Sequence, residues 1–418
     1  MKLSRRILSV AVLAAIAAPA AHAEVPIDVI AGSEITFEGL LQVDFYKFNT
    51  DGIDYGADVA GTDMDGNGYL QELRRAELVL KGKGPGNIEW VIGYDAKDDK
   101  FLDVNLKYKF GNNANHFLQV GQYKQPGAGL EELSSTKNND FITKGSIINS
   151  LGTPRRLGVQ YNYGDVNWGL TGSWFGRELT RNRESGNGYS LRGYWAPLNE
   201  AGKILHIGAS YTTRDTRGDA LRLRARPMAD MVPTRYVDTG SSATSANSLN
   251  NRTDSLDTIG IEGLWVTGPF KMQAEYMTTD VQRTDGLADF NGKGYYVSGL
   301  WNITGETWGY KAGTPTTPLP DNPDKGMFQL GLRYDSFDLN DGSVRPGSTP
   351  IAAPIVDGVL GGKMDSWTAG ANWYWRSNFK FMLNYVMVKQ DKYNNAVGFR
   401  RNVEDNPDIL ELRAQFYW

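Results

Sequence analysis

The stretch Phe101-Leu102-Asp103-Val104-Asn105-Leu106-Lys107-Tyr108-Lys109-Phe110 decides the fold. Leu102, Val104, Leu106, Tyr108 and Phe110 alternate with Asp103, Asn105, Lys107 and Lys109. A period of two places the first set on one face of a β-strand and the second on the other. Soluble two-layer sheets alternate too. Here the apolar face ends in aromatics and the opposite face stays polar, as a strand between lipid and water requires.

The pattern recurs on both sides of that stretch. Residues 87–95 set Ile88, Trp90, Ile92 and Tyr94 against Glu89 and Asp95, and residues 156–163 set Leu157, Val159, Tyr161 and Tyr163 against Gln160 and Asn162. Sixteen strands are expected, at 35–48, 72–82, 87–97, 100–110, 116–124, 154–163, 166–175, 188–196, 203–213, 256–267, 270–280, 294–303, 326–338, 363–375, 379–390 and 408–418. An even count suits a bacterial outer-membrane barrel with both termini on the periplasmic side. The connections mostly alternate between long, as expected of extracellular loops, and short, as expected of periplasmic turns. Two break the rule: 98–99 is short where a surface loop belongs, and 304–325 is long where a turn belongs.

At the far end, Leu410, Leu412, Ala414, Phe416 and Trp418 share a face, and a terminal aromatic is expected to serve as the recognition signal for the barrel assembly machinery. At the near end, Lys2, Arg5 and Arg6 precede an apolar run from Ile7 to Ala18 and a small-residue exit at Ala21-His22-Ala23. This is the pattern of a signal peptide over 1–23, leaving a barrel domain over 24–418. No later segment is apolar enough for a membrane helix, and mean hydropathy is −0.43. The absence of cysteine removes disulfide scaffolds and thiolate metal sites. A soluble propeller would show blade repeats of about 40 to 50 residues, and none is present. With 44 basic against 48 acidic residues, the chain gives no reason to expect a nucleic-acid partner.

A barrel of this size leaves an aqueous channel, so function depends on what narrows and charges it. In the connection 214–255, Arg222-Leu223-Arg224-Ala225-Arg226 puts three guanidiniums on one side of an extended chain, with Leu221, Leu223 and Ala225 on the other. Such a row can pass an anion from fork to fork; it can equally be a solvated loop or a patch facing lipopolysaccharide. The connection 125–153, with Glu131, Glu132, Lys137 and Lys144, is either a constriction loop folded into the lumen or an exposed loop. Arg75 is expected to face inward, and Arg74 outward unless it lies above the membrane. His116 and His206 look isolated, which disfavours an enzyme. Asp63-Met64-Asp65-Gly66-Asn67-Gly68 lacks the glutamate of a calcium loop, so no metal or other cofactor is expected.

The chain resembles the phosphate-selective porin O and P family. The resemblance is carried by Glu72-Leu73-Arg74-Arg75-Ala76, Val120-Gly121-Gln122-Tyr123-Lys124-Gln125-Pro126, Pro154-Arg155-Arg156-Leu157-Gly158-Val159-Gln160, Arg222-Leu223-Arg224-Ala225-Arg226-Pro227, Leu330-Gly331-Leu332-Arg333-Tyr334, and Asn372-Trp373-Tyr374 with Leu383-Asn384-Tyr385. It implies a trimeric porin of sixteen strands in the outer membrane of a Gram-negative bacterium. Phosphate or polyphosphate would be guided by Arg222, Arg224 and Arg226, with Arg74, Arg75 and Lys124 as further cations. It also implies constriction residues near Asp103 and Lys137. Two other readings stay open: a general or carbohydrate-type porin with Trp174 and Tyr194 along a sugar path, and a surface receptor or adhesion module acting through 214–255 and 339–362.

Overall fold

The structure is a computed structural model that describes residues 25–30, 32–49, 69–111, 113–180, 186–232, 235–240, 246–348, 354–394 and 401–418. The expected leader at 1–23 and the turn at 63–68 lie outside the described residues. The wall begins with β1 (Ser33–Asn49), β2 (Tyr69–Gly84), β3 (Ile88–Asp95), β4 (Lys100–Lys109), β5 (Phe117–Lys124), β6 (Arg155–Gly164), β7 (Trp168–Phe175) and β8 (Gly188–Glu200). It continues with β9 (Lys203–Asp215), β10 (Thr253–Thr267), β11 (Phe270–Arg283), β12 (Phe290–Asn302), β13 (Met327–Arg345), β14 (Ile355–Trp375), β15 (Phe379–Asn394) and β16 (Asp408–Tyr417). Each strand pairs antiparallel with the next, and β1 closes the ring on β16 from Leu40↔Tyr417 to Asn49↔Asp408. The result is a closed antiparallel β-barrel of sixteen strands, as expected. Closure satisfies every wall strand on both edges, the condition for crossing a bilayer with strands. Two short strands extend the sheet: Val25–Ile30 pairs with the start of β1, and Arg401–Asp405 with the end of β15.

Polarity is inverted relative to a water-soluble core. Along β11, Phe270, Met272 and Tyr276 are exposed, whereas Lys271, Gln273 and Glu275 are buried. Ile92, Leu106, Val120, Val159, Ile261 and Leu332 lie on the outer face of their strands, and Gln160, Glu262, Arg333, Lys380 and Arg413 point inward. Near the end where β1 begins and Trp418 lies, here called the terminal end, aromatics form a belt. Trp373 stacks on Phe328 and Phe381, Phe379 packs on Phe416, and Trp418 packs on Phe416 and Phe37. Tyr295, Tyr334 and Trp367 form part of a second belt nearer the opposite end. Two aromatic girdles around an apolar band match a lipid-facing wall.

Two bulges overturn face assignments made from strict alternation. Gln42 pairs with Arg75 and Val43 with Leu73, so Arg74 is the extra residue of a β-bulge in β2. Both Arg74 and Arg75 therefore turn inward, Arg74 to Asp230 and Arg75 to Glu77. In β4 the register shifts opposite Ile92–Tyr94; Phe101 takes the outer face and Leu102 lines the lumen, the reverse of the expected side for Leu102.

The two irregular connections are real. Residues 96–99 form a tight turn between β3 and β4. The long one, after β12, folds back as the small hairpin Gly309–Lys311 with Thr314–Thr316. It enters the barrel from the terminal end and packs against the inner wall at Arg192 and His206.

Candidate functional site

Three inserted segments shape the lumen. The connection between β5 and β6 folds inward, with short helices α1 (Leu130–Leu133) and α2 (Ser146–Ser150). Its backbone is stitched to the opposite wall. Glu275 of β11 accepts the N–H groups of Leu130 at 2.6 Å and Glu131 at 2.8 Å, and Asp335 of β13 accepts that of Ser146 at 2.9 Å. Lys271 pairs with Asp140 at 2.6 Å, Asn372 donates to the Asp140 carbonyl at 2.8 Å, and Lys380 donates to that of Asn139. Arg413, held by Asp44 through Nε and Nη2 at 2.7 Å each, donates from Nη1 to the Ile142 carbonyl at 2.9 Å. Charge-assisted bonds of this kind fix a strap across the barrel from β5 and β6 to β11–β16.

The second inserted segment is the connection between β9 and β10. Leu221, Leu223 and Ala225 are buried in a cluster with Ile148, Leu151, Tyr236 and Leu256, which turns the intervening Arg222, Arg224 and Arg226 to the other side. Arg224–Ala225 is further fixed by pairing with Val237–Asp238. The three arginines line a cavity of about 680 Å³ together with Arg156, Arg214 and Arg235; its acidic lining is Glu132 and Asp230. Six arginines against two carboxylates leave the space strongly positive. Asp238 holds Arg222, with Nε to Oδ1 at 2.6 Å, whereas Arg224, Arg226 and Arg235 make no ion pair with a described residue. Burial and the neighbouring charges of Arg226 and Arg224 push Arg235 down to about 10. Asp230 is held at about 2: burial would raise it, but Arg74, bonded at 2.6 Å, outweighs that.

A second cavity of about 290 Å³ lies deeper and is lined by Asp103, Lys124, Lys137, Arg155, Glu38, Glu77 and Lys81, among others. Lys124 donates to the Ser134 carbonyl at 2.9 Å, and Lys137 lies 5.8 Å from the Tyr417 ring centre. Between the cavities, Glu132 is bonded to Lys144 and has Lys124 at 3.7 Å and Arg155 at 3.9 Å. Arg155 also grips Asp103 with two bonds of 3.1 Å. Burial would raise the Glu132 carboxyl; Lys144, Lys124 and Arg155 hold it far below the ordinary carboxylate range. This cluster between the two cavities thus sets three cations against two carboxylates. Consecutive residues face the two chambers, Arg156 the first and Arg155 the second.

The third inserted segment is the hairpin after β12. Arg192 donates to the Gly313 carbonyl at 2.8 Å and pairs with Glu262, and His206 sits between Tyr310 at 2.6 Å and Glu262 at 3.0 Å. Lys271 lies 5.5 Å from the centre of the buried Trp308 ring. His206 is therefore not isolated in space; it is a clamp for the hairpin.

Of the residues singled out in the sequence, Arg222, Arg224 and Arg226 converge on the first cavity, and Asp103, Lys124 and Lys137 on the second. Arg74 acts on the first only through Asp230, and Arg75 is engaged with Glu77. Trp174 faces outward and cannot line a sugar path, whereas Tyr194 faces the lumen under Arg192. Lys144 was among the charges noted in the connection 125–153, whereas Arg155, Arg156, Arg214 and Arg235 were not assigned a role. Alternation along β6 and β9 puts Arg156 with Gln160 and Arg214 with Thr212, a signal that was available. Nothing local marks Arg235.

Comparison with known proteins agrees with this architecture. The protein is 28% identical to Porin O of Pseudomonas aeruginosa over 369 residues, covering 82% of this chain and 81% of that one. In fold it is similar to the trimer form of OmpT of Vibrio cholerae, at a TM-score of 0.54 and 10% identity, covering 93% and 100% of the two chains. It is also similar to an anion-selective porin from Comamonas acidovorans, at a TM-score of 0.53 and 11% identity, covering 92% and 100%. Residues 47–418 match the family described as phosphate-selective porin O and P. The chain belongs to that family and is an outer-membrane porin.

Proposed function

We propose that this porin is a passive, water-filled channel that prefers anions, with phosphate or polyphosphate as its solute. The supporting observation is the cavity lined by six arginines, with a cluster of three cations and two carboxylates between it and the second cavity. A guanidinium matches the paired oxygens of phosphate and stays charged at any relevant pH. Several weak sites in series favour entry without trapping the ion. The roles of Arg222, Arg224 and Arg226, supported by Arg156, Arg214 and Arg235, are part of this reading, as are Lys124 and Arg155 in that cluster. Assembly as a homotrimer is supported by the trimer form of its structural relative from Vibrio cholerae. Recognition of Trp418 by the barrel assembly machinery is supported by its place in the aromatic belt, where it packs so closely over Gly39 that any side chain there would displace it. The reading includes no catalytic step.

Single-channel reversal potentials in asymmetric KCl test the sign of selectivity, and phosphate titrated against chloride tests the solute. Anion preference with block of the chloride current by phosphate is expected. A cation-selective reversal potential would sink the proposal.

A further inference from the structure

We infer that the outer wall at β13–β15 carries a specific binding site for one anionic phospholipid of the periplasmic leaflet. The outer face of a barrel is usually a continuous bristle of large apolar side chains, but here it is interrupted. Ala371 pairs with Leu330 on one side and Leu383 on the other, and its small side chain leaves a groove of about 240 Å³. Ile303, Phe328, Leu330, Trp373, Phe381, Leu383 and Leu412 line it. The rings of Phe328 and Trp373 stand nearly parallel, 5.8 Å apart at 5°, and Phe381 stacks on Trp373 at 5.5 Å, forming a shelf at the terminal end of the groove.

Depth and charge identify the occupant. Ala371 lies four residues from Trp375, where β14 ends, so at about 3.3 Å per residue and with strand tilt it sits roughly 10 Å inside the boundary. That is the depth of an acyl chain of the leaflet on the termini side, and too deep for a headgroup. The rim below the shelf holds Lys325 and Arg376 against one carboxylate, Asp324, an excess of one positive charge. Trp373 donates its indole N–H to the Lys325 carbonyl at 3.4 Å, placing Lys325 at the rim, and the exposed Lys325 makes no ion pair with a described residue. Arg376 adjoins it, 5.7 Å from the Trp375 ring centre and 3.4 Å from Asp324. An apolar groove ending in an aromatic shelf with two cations beyond it suits an acyl chain attached to a phosphate. A side chain from a second copy would need no such cations. The inference rests on the barrel fold alone and is independent of which ion the channel prefers.

The test is native mass spectrometry of the full protein extracted from vesicles of phosphatidylethanolamine and phosphatidylglycerol. Wild type is compared with Ala371→Leu, which fills the groove, and with the double variant Lys325→Gln/Arg376→Gln. None of these residues lines the two lumenal cavities, so unchanged single-channel conductance verifies folding. Wild type should retain one phosphatidylglycerol per protomer. Occupancy should fall about tenfold in Ala371→Leu, and severalfold in the double variant with phosphatidylethanolamine retention unaffected. Equal occupancy in Ala371→Leu would overturn the proposal. Loss of oligomers without loss of lipid would also overturn it, assigning the groove to a subunit contact.

Discussion

Within the first cavity, a residue matters according to whether its charge is already spent. Arg222 is held by Asp238 and Arg74 by Asp230, while Arg224 has no carboxylate of its own among the described residues. Arg224→Ala should therefore lower the anion-to-cation permeability ratio by on the order of threefold, read from reversal potentials, and Arg222→Ala should act less directly by freeing Asp238. Asp230→Asn should do the opposite, raising anion preference by releasing Arg74 while adding current noise as the connection loses its anchor. The same pair sets a pH limit. Asp230 titrates at about 2 in the folded protein, below the ordinary value near 4, so its ion pair stabilises fully above that value and is lost as pH falls from about 4 toward about 2. Reversal potentials recorded from pH 6 down to 5 should stay flat, and a step inside that window attributable to Asp230 would contradict the assignment.

Among the elements, the inserted strap and hairpin occupy the lumen, so the proposed channel function predicts that they limit conductance. Glu275 receives two backbone N–H groups of the strap and the Tyr296 hydroxyl. Glu275→Gln turns one of its two accepting oxygens into an amide donor, at a cost of roughly 0.5–1.5 kcal/mol per lost bond, and the expected result is a larger and noisier single-channel conductance. Shortening the hairpin by deleting 309–316 should widen the termini-side exit and raise conductance while leaving selectivity to the arginines. These elements divide what the sequence reveals from what it hides. The sixteen strands were legible because period-two alternation is a property of each strand alone, and even the two irregular connections were visible as lengths. The inward fold of residues 125–153 was one of two open readings, because the partners of that segment, Glu275, Asp335 and Arg413, lie far along the chain. The bulge at Arg74 was invisible for a related reason: it is a mismatch between two strands, and neither one records it. Arg222, Arg224 and Arg226 could be found because hydrophobic residues alternate with them, whereas Arg235 reaches the cavity only through the fold of its connection.

For the whole barrel, one rule governs stability and selectivity together: adjacent residues on a strand face different solvents. Ala209 and Ser210 lie in the middle of β9. Ala209 pairs with Gly193 and Ile261 on the outer face, and Ser210 with Arg192 and Gly260 on the inner face. An arginine at either position adds the same charge to the same strand. Ala209→Arg places it near the bilayer midplane, where a guanidinium costs about 2–4 kcal/mol. Ser210→Arg places it in the wet lumen beside other charges, where the cost is small and the local potential rises. Reversible urea unfolding in lipid vesicles should show a stability loss of that size for Ala209→Arg and a much smaller one for Ser210→Arg. Reversal potentials should show the complementary result, a stronger anion preference for Ser210→Arg and none for Ala209→Arg. If both variants were destabilised equally, the inverted polarity of the wall would not be the organising force argued for here, and the lumen would have to be drier than its charged lining requires.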